Sequence, residues 1–337
     1  MKQLFVKELE SGQRLDKFLG KYLKEAPKSF IYKMLRKKNI TLNGKKATGN
    51  EKLNLNDEIK LFFSEETLEK FCKEAENSSE TSLDIVYEDG CVLFINKPAG
   101  MLSQKADKAD VSLVEYLTGY LLKTGALTKE DLRTFRPGVC NRLDRNTSGL
   151  VAAGKTVQGL QELSRCFKER SLHKYYLTLV KGKIFEPAHI KGYLWKDEKK
   201  NKVAVYKEKK EGSLPIETKY QPLGISKNGD TLLQVELLTG RSHQIRSHLA
   251  GIGHPVIGDW KYGEKEKNGR FRKKYGIEYQ LLHAWKLTFP ETEGILRNLS
   301  LKTIRADVPE EFWKVLKGEG LTKYISENNK GDVKKHE

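Results

Sequence analysis

A polar segment divides this chain into two parts with different sequence patterns. Residues 64–82 are rich in Glu and Ser. Their main apolar residues are Leu68, Phe71 and Cys72. Polar stretches of this composition between patterned segments are typical of linkers. The segment therefore predicts a small folded module in residues 1–63, an acidic polar linker in residues 64–82, and a larger domain over residues 83–318.

Length and charge restrict what these parts can bind. With 337 residues, of which 38% are hydrophobic, the chain is long enough for two domains with a sizeable core. Lys and Arg number 62 against 45 Asp and Glu, which gives a net charge of +17. Such an excess of positive charge favours a polyanionic partner, and nucleic acid is the first candidate.

Signals for a membrane or for export are absent from the sequence. Residues Met1 to Phe5 contain no apolar run of the kind found in signal peptides. No run of about 18 apolar residues occurs, so the sequence predicts no transmembrane helix. We therefore expect a cytoplasmic protein that does not act at a membrane.

Metal and nucleotide sites are also not predicted. The four cysteines are too far apart in sequence for a Cys-x-x-Cys pair. His243 and His248 are spaced i, i+5, whereas the histidine pair of a helical zinc site is spaced i, i+4. Residues 251–256 lack the third glycine of a dinucleotide fingerprint, and Pro255 interrupts the helix that should follow. The sequence thus predicts neither a metal nor a cofactor.

The first module combines two short helices with a basic hairpin. Apolar residues at helical spacing predict one helix over residues 14–23 and a second one after Pro27. Residues 40–46 predict a strand with an Asn-Gly turn, and residues 59–63 predict another strand. All charged residues between Pro27 and Asn50 are basic, namely Lys28, Lys33, Arg36, Lys37, Lys38, Lys45 and Lys46.

This basic block has two interpretations, because a charged helix face is often only solvated. The two helices and the basic hairpin, with Arg14-Leu15-Asp16-Lys17 at their start, resemble the S-four RNA-binding domain. The resemblance implies that the second helix and the adjoining loop lie against RNA. The RNA-binding residues implied in this module are Lys28, Lys33, Arg36, Lys37 and Lys38.

Strand patterns predominate after residue 83. Strands are predicted at residues 83–89, 91–100, 174–180, 202–206, 231–238 and 286–289, and helices at residues 113–123, 157–168 and 242–250. This order predicts a mixed, β-rich α+β fold. Beyond residue 318 the sequence is polar and charged, so residues 319–337 are predicted to form a disordered tail.

The segment Asn141 to Leu150 places one carboxylate, Asp144, between Arg142 and Arg145. It is a polar, Gly-bounded stretch between two apolar runs, which is typical of a functional loop held on strands. Flanking guanidinium groups favour the charged form of an acid and keep it ready to react. A merely structural salt-bridged turn is the alternative, since Arg14-Leu15-Asp16-Lys17 has the same pattern without other signs of chemistry.

Two further segments carry candidate functional groups. In the strand around residues 172–182, Lys174 and Tyr176 share one face. A tyrosine presented there can stack on an unpaired base, although it can also simply pack in the core. Residues 239–248 follow a strand and open a helix, where free amides and the side chains of Arg241 and Arg246 favour an anion.

These segments together resemble the RluA family of pseudouridine synthases, and the first module suggests the RluC/RluD-like branch that acts on large-subunit ribosomal RNA. The resemblance extends from about Arg14 to Trp313. Its motifs are Lys97-Pro98-Ala99-Gly100, Arg142-Leu143-Asp144-Arg145, Lys174-x-Tyr176, Gly240-Arg241-x-His243-Gln244-Ile245-Arg246-x-His248, Gly258-Asp259 and Leu282-His283-Ala284. It implies a mostly antiparallel sheet in the catalytic domain.

The resemblance also implies roles for individual residues. The catalytic residue is Asp144, Tyr176 stacks on the target uracil, and Arg246 pairs with the aspartate, with Arg241 as a weaker candidate for that pairing. The implied RNA contacts in this domain are Arg142, Arg145, Lys174, Arg241 and His243. The reaction needs no cofactor, the RNA partner is ribosomal, and a monomer is expected.

Two departures from the family pattern leave alternatives open. Asn141 stands where the family usually has His, and Asn146 stands where it usually has Asp. Neither changes Asp144, so activity is expected to remain. The alternatives are an RNA-binding ribosome-assembly factor with a vestigial isomerase site, and a synthase that acts on transfer RNA.

Overall fold

The computed structural model describes residues 1–72, 82–107, 109–197 and 202–326. The chain forms two compact units, and each unit is assembled from several segments. The first unit contains Met1–Leu93, Gln104–Asn141 and Ala152–Arg165, and the second contains Phe94–Ser103, Arg142–Val151 and Cys166–Glu337. Within the described ranges, every helix is too short or too polar to cross a bilayer.

The N-terminal part of the first unit is a small sheet with two helices. Its elements are β1 (Lys2–Phe5), α1 (Leu15–Tyr22), α2 (Lys28–Arg36), β2 (Ile40–Leu42), β3 (Lys45–Lys46), β4 (Glu58–Leu61) and α3 (Glu65–Phe71), with a 3-10 turn at Glu8–Glu10. The four strands lie in the antiparallel order β1-β4-β2-β3. The two helices and the hairpin predicted from the sequence are confirmed.

One core joins these helices to the sheet. Phe18 and Leu19 of α1 and Ile31 and Leu35 of α2 are buried in it. The basic residues of α2 and of the turn after it lie on the opposite side of the helix, where the structure leaves them exposed: Lys28, Lys33, Arg36, Lys37 and Lys38. The apolar spacing of α2 thus separates a packed face from a cationic face.

The predicted linker begins as a helix. Ser64 caps α3 by accepting a hydrogen bond from the Thr67 amide at 3.3 Å. Leu68 and Phe71 pack against the core of the first module, and the rings of Phe30 and Phe71 lie 4.9 Å apart. The few apolar residues of this segment are spaced so that one turn of helix brings them together. The rest of the predicted linker, residues 73–81, lies outside the described residues.

The remaining elements follow in chain order. They are β5 (Ile85–Glu88), β6 (Val92–Lys97), α4 (Leu113–Lys123), β7 (Gly138–Val139), β8 (Ser148–Gly154), α5 (Val157–Glu169), β9 (His173–Val180), β10 (Ala188–Asp197), β11 (Lys202–Tyr206), β12 (Leu214–Ile225), β13 (Thr231–Leu237), α6 (Gln244–Gly251), α7 (Lys265–Tyr275), β14 (Leu282–Thr288), β15 (Thr303–Arg305), α8 (Glu310–Glu319) and α9 (Lys323–Ser326). Short 3-10 turns occupy Asp131–Arg133 and Gly294–Leu299.

The second unit is built on a large mixed sheet. Its strands follow the order β11-β10-β12-β13-β9-β14-β8, with β15 paired to β14. Neighbouring strands from β11 to β14 pair antiparallel, whereas β14 and β8 are parallel where His283 faces Ser148. The predicted α+β class with a mostly antiparallel sheet is confirmed.

Strand β9 separates a helix-covered core from the face that carries Tyr176. Leu177 and Leu179 pack with Trp285 of β14 and with Phe312 and Leu316 of α8. Because successive side chains of a strand point to opposite faces, Lys174, Tyr176 and Thr178 share the other face. The helices thus anchor the strand from one side and leave its second face to the site.

The C-terminal segment differs from the prediction of a tail after residue 318. Gly320 ends α8 with a φ of 75°, and the chain continues through α9. Leu321 and Ile325 are fully or almost fully buried in the core under β9. The prediction failed there because these two apolar residues are isolated in a polar sequence and only packing shows their role. Residues 327–337 lie outside the described residues.

Candidate active site

The loop before β8 carries Asp144 and is held by hydrogen bonds on both sides of it. The Ser103 hydroxyl donates to the Leu143 carbonyl and accepts from the Leu143 amide, each at 3.0 Å. The Thr147 amide donates to the Asp144 carbonyl at 3.0 Å. Gln280 in turn donates to the Thr147 hydroxyl at 3.1 Å. The backbone that presents the carboxylate is therefore fixed before any substrate arrives.

Arg246 joins this loop to helix α6. Its Nη1 donates to Asp144 Oδ2 at 2.9 Å. Its Nε and Nη2 donate to the two carboxylate oxygens of Asp259, at 2.7 and 2.8 Å. Asp259 is completely buried and also accepts the amides of Lys261 and Tyr262. One guanidinium thus connects a partly exposed carboxylate with a buried one.

The pairing of Arg246 with Asp259 favours the ionised form of both groups. Burial by itself would lower the pKa of Arg246, but its hydrogen bond to Asp259 and the charges of Asp259 and Asp144 raise that pKa above its ordinary value. Burial would raise the pKa of Asp259, but the hydrogen bonds and charge of Arg246 lower it. The guanidinium therefore keeps its charge and faces Asp144 with it.

His243 lies directly before α6 and faces the same carboxylate. Its Nε2 is 3.9 Å from Asp144 Oδ2, and its Nδ1 is 2.9 Å from the Tyr262 hydroxyl oxygen. The backbone of His243 is left-handed, with a φ of 55°. Burial lowers the pKa of this histidine, opposed by the charge of Asp144. The imidazole is therefore held in a defined orientation and favours its neutral form.

Tyr176 lies in the middle of β9, paired with Val235 of β13 and Ala284 of β14. Only 8% of it is exposed. Burial, together with the charge of Asp144, raises the pKa of its hydroxyl, so the ring stays neutral. Lys174 is half-buried two residues earlier, and burial lowers the pKa of its ammonium group.

A pocket of about 410 Å³ opens beside Asp144. Its walls include Arg145, His243, Arg246, Trp260 and Gln280. Such a volume is in the range of about 300–1,000 Å³ that small ligands occupy in proteins. The pocket offers a carboxylate, a fixed guanidinium, an imidazole and an indole to one bound group.

Lys97 stabilises the backbone around the site. It is fully buried, and its Nζ donates to the carbonyls of Pro98, Met101 and Arg145 at 2.8, 2.9 and 3.1 Å. Burial lowers its pKa to about 7, opposed by the charge of Asp144. Arg145 adds a second connection, because its Nε donates to the Gly100 carbonyl at 3.2 Å. Both residues tie the loop of Asp144 to residues 98–101.

The other arginines that were predicted for the site lie at the protein surface. Arg142, Arg145 and Arg241 are exposed, and Arg241 precedes α6 instead of lying within it. The structure therefore brings Arg246, and not Arg241, to Asp144. The predicted residues of α2 belong to the first unit, where they form the exposed basic face.

Sequence reasoning assigned no role to three residues that shape the site, Asp259, Lys97 and Tyr262. Two of them lie within segments that the sequence already marked, Gly258-Asp259 and Lys97-Pro98-Ala99-Gly100. A chemical argument could have pointed to Asp259, because a buried arginine needs an anionic partner. Among the described residues, no three His, Cys, Asp or Glu side chains cluster as metal ligands.

Comparison with known proteins identifies the family of this chain. Residues 91–251 match the family described as RNA pseudouridylate synthase, and residues 13–59 match the S4 domain. The ribosomal large subunit pseudouridine synthase C of Vibrio vulnificus is 32% identical over 322 residues, which cover 91% of this chain and 92% of that protein. The chain belongs to the RNA pseudouridylate synthase family. The predicted family and the S-four-type module are thereby confirmed.

Two further pseudouridine synthases extend the comparison. The ribosomal large subunit pseudouridine synthase C of Pasteurella multocida is 30% identical over 332 residues, covering 94% of this chain and 93% of that protein. The solved structure of human RNA Pseudouridylate Synthase Domain Containing 4 is 20% identical, with a TM-score of 0.55 over 69% of this chain and 91% of that one. The latter similarity shows a shared fold.

As a pseudouridine synthase, this enzyme breaks the bond between uracil N1 and ribose C1′ and rejoins the uracil to the same ribose through its C5. The product is an isomer of the substrate, and the overall reaction neither adds nor removes electrons. A pocket with a positioned carboxylate suits this chemistry, because the reaction needs an acid-base or nucleophilic group and a way to hold the detached base.

Proposed function

We propose that this pseudouridine synthase modifies specific uridines of large-subunit (23S) ribosomal RNA and uses Asp144 without a cofactor. The observation that carries the proposal is the hydrogen bond of 2.9 Å from Arg246 to Asp144 at the wall of the pocket. The choice of RNA rests on relatives of similar length, which are named for the ribosomal large subunit.

In the proposed mechanism the target uridine leaves its stack and enters the pocket. Flipping a base costs a few kcal/mol, and phosphate contacts offset this cost. Asp144 then attacks the ribose or the uracil ring, or abstracts a ribose proton. Arg246 orients the carboxylate through its hydrogen bond, Tyr176 stacks on the uracil, and Arg142 occupies the space of the flipped base.

RNA binding is proposed to involve both parts of the chain. Residues 1–63 form the S-four-like RNA-binding domain, and α3 at the start of the linker of residues 64–82 packs against it. Residues 83–318 form the catalytic domain, and α9 after residue 318 completes its core. The exposed lysines and arginine of α2 release counterions from phosphates, and Lys174, Arg145, Arg241 and His243 add contacts near the target base. We further propose that the enzyme works as a cytoplasmic monomer without a metal.

The chemistry can be tested with ribosomal RNA that carries tritium at C5 of its uridines. Isomerisation must expel this hydrogen, so tritium release measures the reaction directly. We expect release by the wild-type protein and none by Asp144→Ala. The matched control is Asp16→Ala, because Arg14-Leu15-Asp16-Lys17 repeats the tripeptide of the site and should not affect the reaction at saturating RNA.

Other outcomes would lead to different conclusions. Release from transfer RNA but not from 23S RNA would contradict the proposed target and retain the reaction. If tritium is released from neither RNA although the protein binds RNA normally, the result would favour the assembly factor with a vestigial site. Equal release by wild-type protein and Asp144→Ala would contradict the role of Asp144.

A further inference from the structure

A short chain of hydrogen bonds determines which nitrogen of His243 carries its proton. The Val203 amide donates to the Tyr262 hydroxyl oxygen at 3.0 Å. One lone pair of that oxygen is thereby occupied, and its own hydrogen is available for His243 Nδ1 at 2.9 Å. If Nδ1 accepts this hydrogen, the neutral imidazole must carry its proton on Nε2.

The opposite side of the ring supports the same tautomer. Nε2 lies 3.9 Å from Asp144 Oδ2, which is too long for a hydrogen bond but close enough for the carboxylate to act on the ring. A lone pair on Nε2 would face this negative charge, whereas an N–H there is attracted to it. The groups on both sides therefore select the Nε2–H form, and the donor points into the pocket.

The environment also keeps the imidazole neutral. Burial is the main cause of its lowered pKa, and the positive charges of Arg246 and Lys261 lower it further. The carboxylates of Asp144 and Asp259 oppose this shift. A neutral ring with its proton on Nε2 can donate one hydrogen bond into the pocket and cannot serve there as a base.

We propose that His243 is a catalytic residue that donates a hydrogen bond from Nε2–H to a carbonyl oxygen of the uracil while the uracil is detached from its ribose. Tyr262 is then a positioning residue that fixes the tautomer. The proposal deepens the proposed function and rests on it, because it requires a uracil in the pocket beside Asp144.

The bond changes show why a donor at this position accelerates the reaction. The bond between ribose C1′ and uracil N1 breaks, and its electron pair stays with the uracil. The ring then carries one negative charge, shared between N1 and the carbonyl oxygens. A C1′–C5 bond forms next, after which C5 loses its proton and N1 gains one. The hydrogen bond from His243 stabilises charge on oxygen without transferring a proton.

The conformation of His243 makes the donor rigid. Its φ of 55° turns the chain sharply into α6, and its carbonyl accepts hydrogen bonds from the amide and hydroxyl of Ser247. Only 13% of its side chain is exposed. A donor held in this way needs no reorganisation when charge develops on the uracil, which is the condition for strong electrostatic stabilisation.

Replacement of His243 by Gln or by Asn distinguishes the two nitrogen positions of its ring. The amide nitrogen of Gln can reach the position of Nε2, whereas that of Asn reaches only the position of Nδ1. Asn also adopts a left-handed backbone more readily than Gln, so strain acts against the variant that should retain activity. Comparison of His243→Gln with His243→Asn therefore separates the donor from the backbone.

The kinetic experiment measures tritium release in a single turnover at saturating RNA. We expect His243→Asn to lower the rate by about 100-fold, and His243→Gln to remain within about tenfold of the wild type. Saturating RNA separates the rate of the chemical step from any loss of RNA binding, which should be similar in the two variants. Equal rates for the two variants would overturn the proposal, because the position of Nε2 would then be irrelevant.

The tautomer can be measured without RNA. In protein labelled with nitrogen-15 at its histidines, the signals of His243 are assigned by their loss in His243→Asn. We expect a protonated Nε2 and an unprotonated Nδ1 in the wild type, and a mixture of tautomers in Tyr262→Phe. A protonated Nδ1 in the wild type would overturn the proposal. Inactivity of the wild type on 23S RNA would contradict the proposed target but would not change the tautomer. The failure of the proposed function and the failure of the proposal for His243 can therefore be told apart.

Discussion

Asp259 binds the guanidinium of Arg246 through two parallel hydrogen bonds, 2.7 Å from Nε and 2.8 Å from Nη2. This arrangement leaves Nη1 to donate to Asp144 at 2.9 Å. Because Asp259 itself is completely buried and held by two backbone amides, it fixes the plane of the guanidinium. The orientation of the charge that faces Asp144 is therefore set by a carboxylate on its far side.

We expect Asp259→Asn to lower activity and stability together. The amide retains one acceptor but loses the charge, so Arg246 keeps an incompletely paired charge in a buried position. Breaking a buried pair from one side costs about 3–5 kcal/mol. Tritium release should fall by at least about tenfold at a temperature where the variant remains folded, since each 1.36 kcal/mol in a barrier is about tenfold in rate.

Glu319→Gln is the matched control for this variant. Glu319 is also a buried carboxylate in the second unit, bound by Lys274, Tyr275 and Asn228. Its replacement should destabilise the protein and leave the rate per folded molecule unchanged. Equal loss of rate in both variants would mean that general destabilisation, and not the orientation of Arg246, explains the effect.

The exposed cationic face of α2 should determine much of the salt dependence of RNA binding. We expect the combined change of Lys33, Arg36 and Lys37 to Gln to weaken binding. A plot of the logarithm of the binding constant against the logarithm of the salt concentration has a negative slope. The magnitude of this slope should decrease by about 2–3, because each phosphate contact contributes about 0.7–0.9. Titration of labelled RNA at several salt concentrations measures this slope.

A second triple variant supplies the control for this measurement. Lys265, Arg272 and Lys273 are exposed on α7 and can likewise be changed to Gln. The variant removes the same charge, so it measures the effect of net charge alone. The predicted role of α2 is wrong if the two triple variants show the same slope.

His283 should make the second unit less stable in acid. It is fully buried, bound to the Ser148 hydroxyl at 2.9 Å and near the Ala306 carbonyl, and burial lowers its pKa to about 4 from 6.5. The unfolded chain therefore takes up this proton at a higher pH than the folded protein. The free energy of unfolding should rise with pH across this window and fall as pH drops toward 4.

Denaturant unfolding measures this pH dependence. Trp195, Trp260, Trp285 and Trp313 all lie in the second unit, so tryptophan fluorescence reports its unfolding. Between about pH 7.5 and about pH 5, His283→Asn should lose about 2 kcal/mol less stability than the wild type. If the wild type and His283→Asn lose the same free energy of unfolding between these two pH values, this histidine does not cause the effect.

Gly149 should tolerate no side chain. Its φ is 112°, and a Cβ at this position would lie 2.2 Å from the Ala284 carbonyl oxygen of β14. Because that neighbour is backbone within the sheet, Gly149→Ala should cost at least about 2 kcal/mol or prevent folding. Gly240→Ala is the control, since no atom lies within 4 Å of its added Cβ. Equal thermal stability of the two variants would contradict this account.

Local patterns in the sequence predict much of the fold. Helices α1, α2, α4 and α5 follow from apolar spacing, and β9, β11 and β13 from strand-like runs. Helix α7 was not predicted, because its sequence is almost entirely polar and only Phe271 and Asn268 are buried. Strands β10 and β12 were missed for a related reason, since exposed polar residues interrupt their apolar pattern.

The polar loop that carries Asp144, the basic face of α2 and the position of Tyr176 within β9 could be predicted from the sequence alone, because each depends on residues that are neighbours in the chain. The contact of Asp144 with Arg246, and not with Arg241, is visible only in the folded protein, since Arg246 and Asp144 are 102 positions apart in the chain. That contact depends on where α6 begins. It also depends on Asp259, which orients the guanidinium from a loop after the helix. Such contacts join separate elements, and the packing of those elements brings the partners within hydrogen-bonding distance.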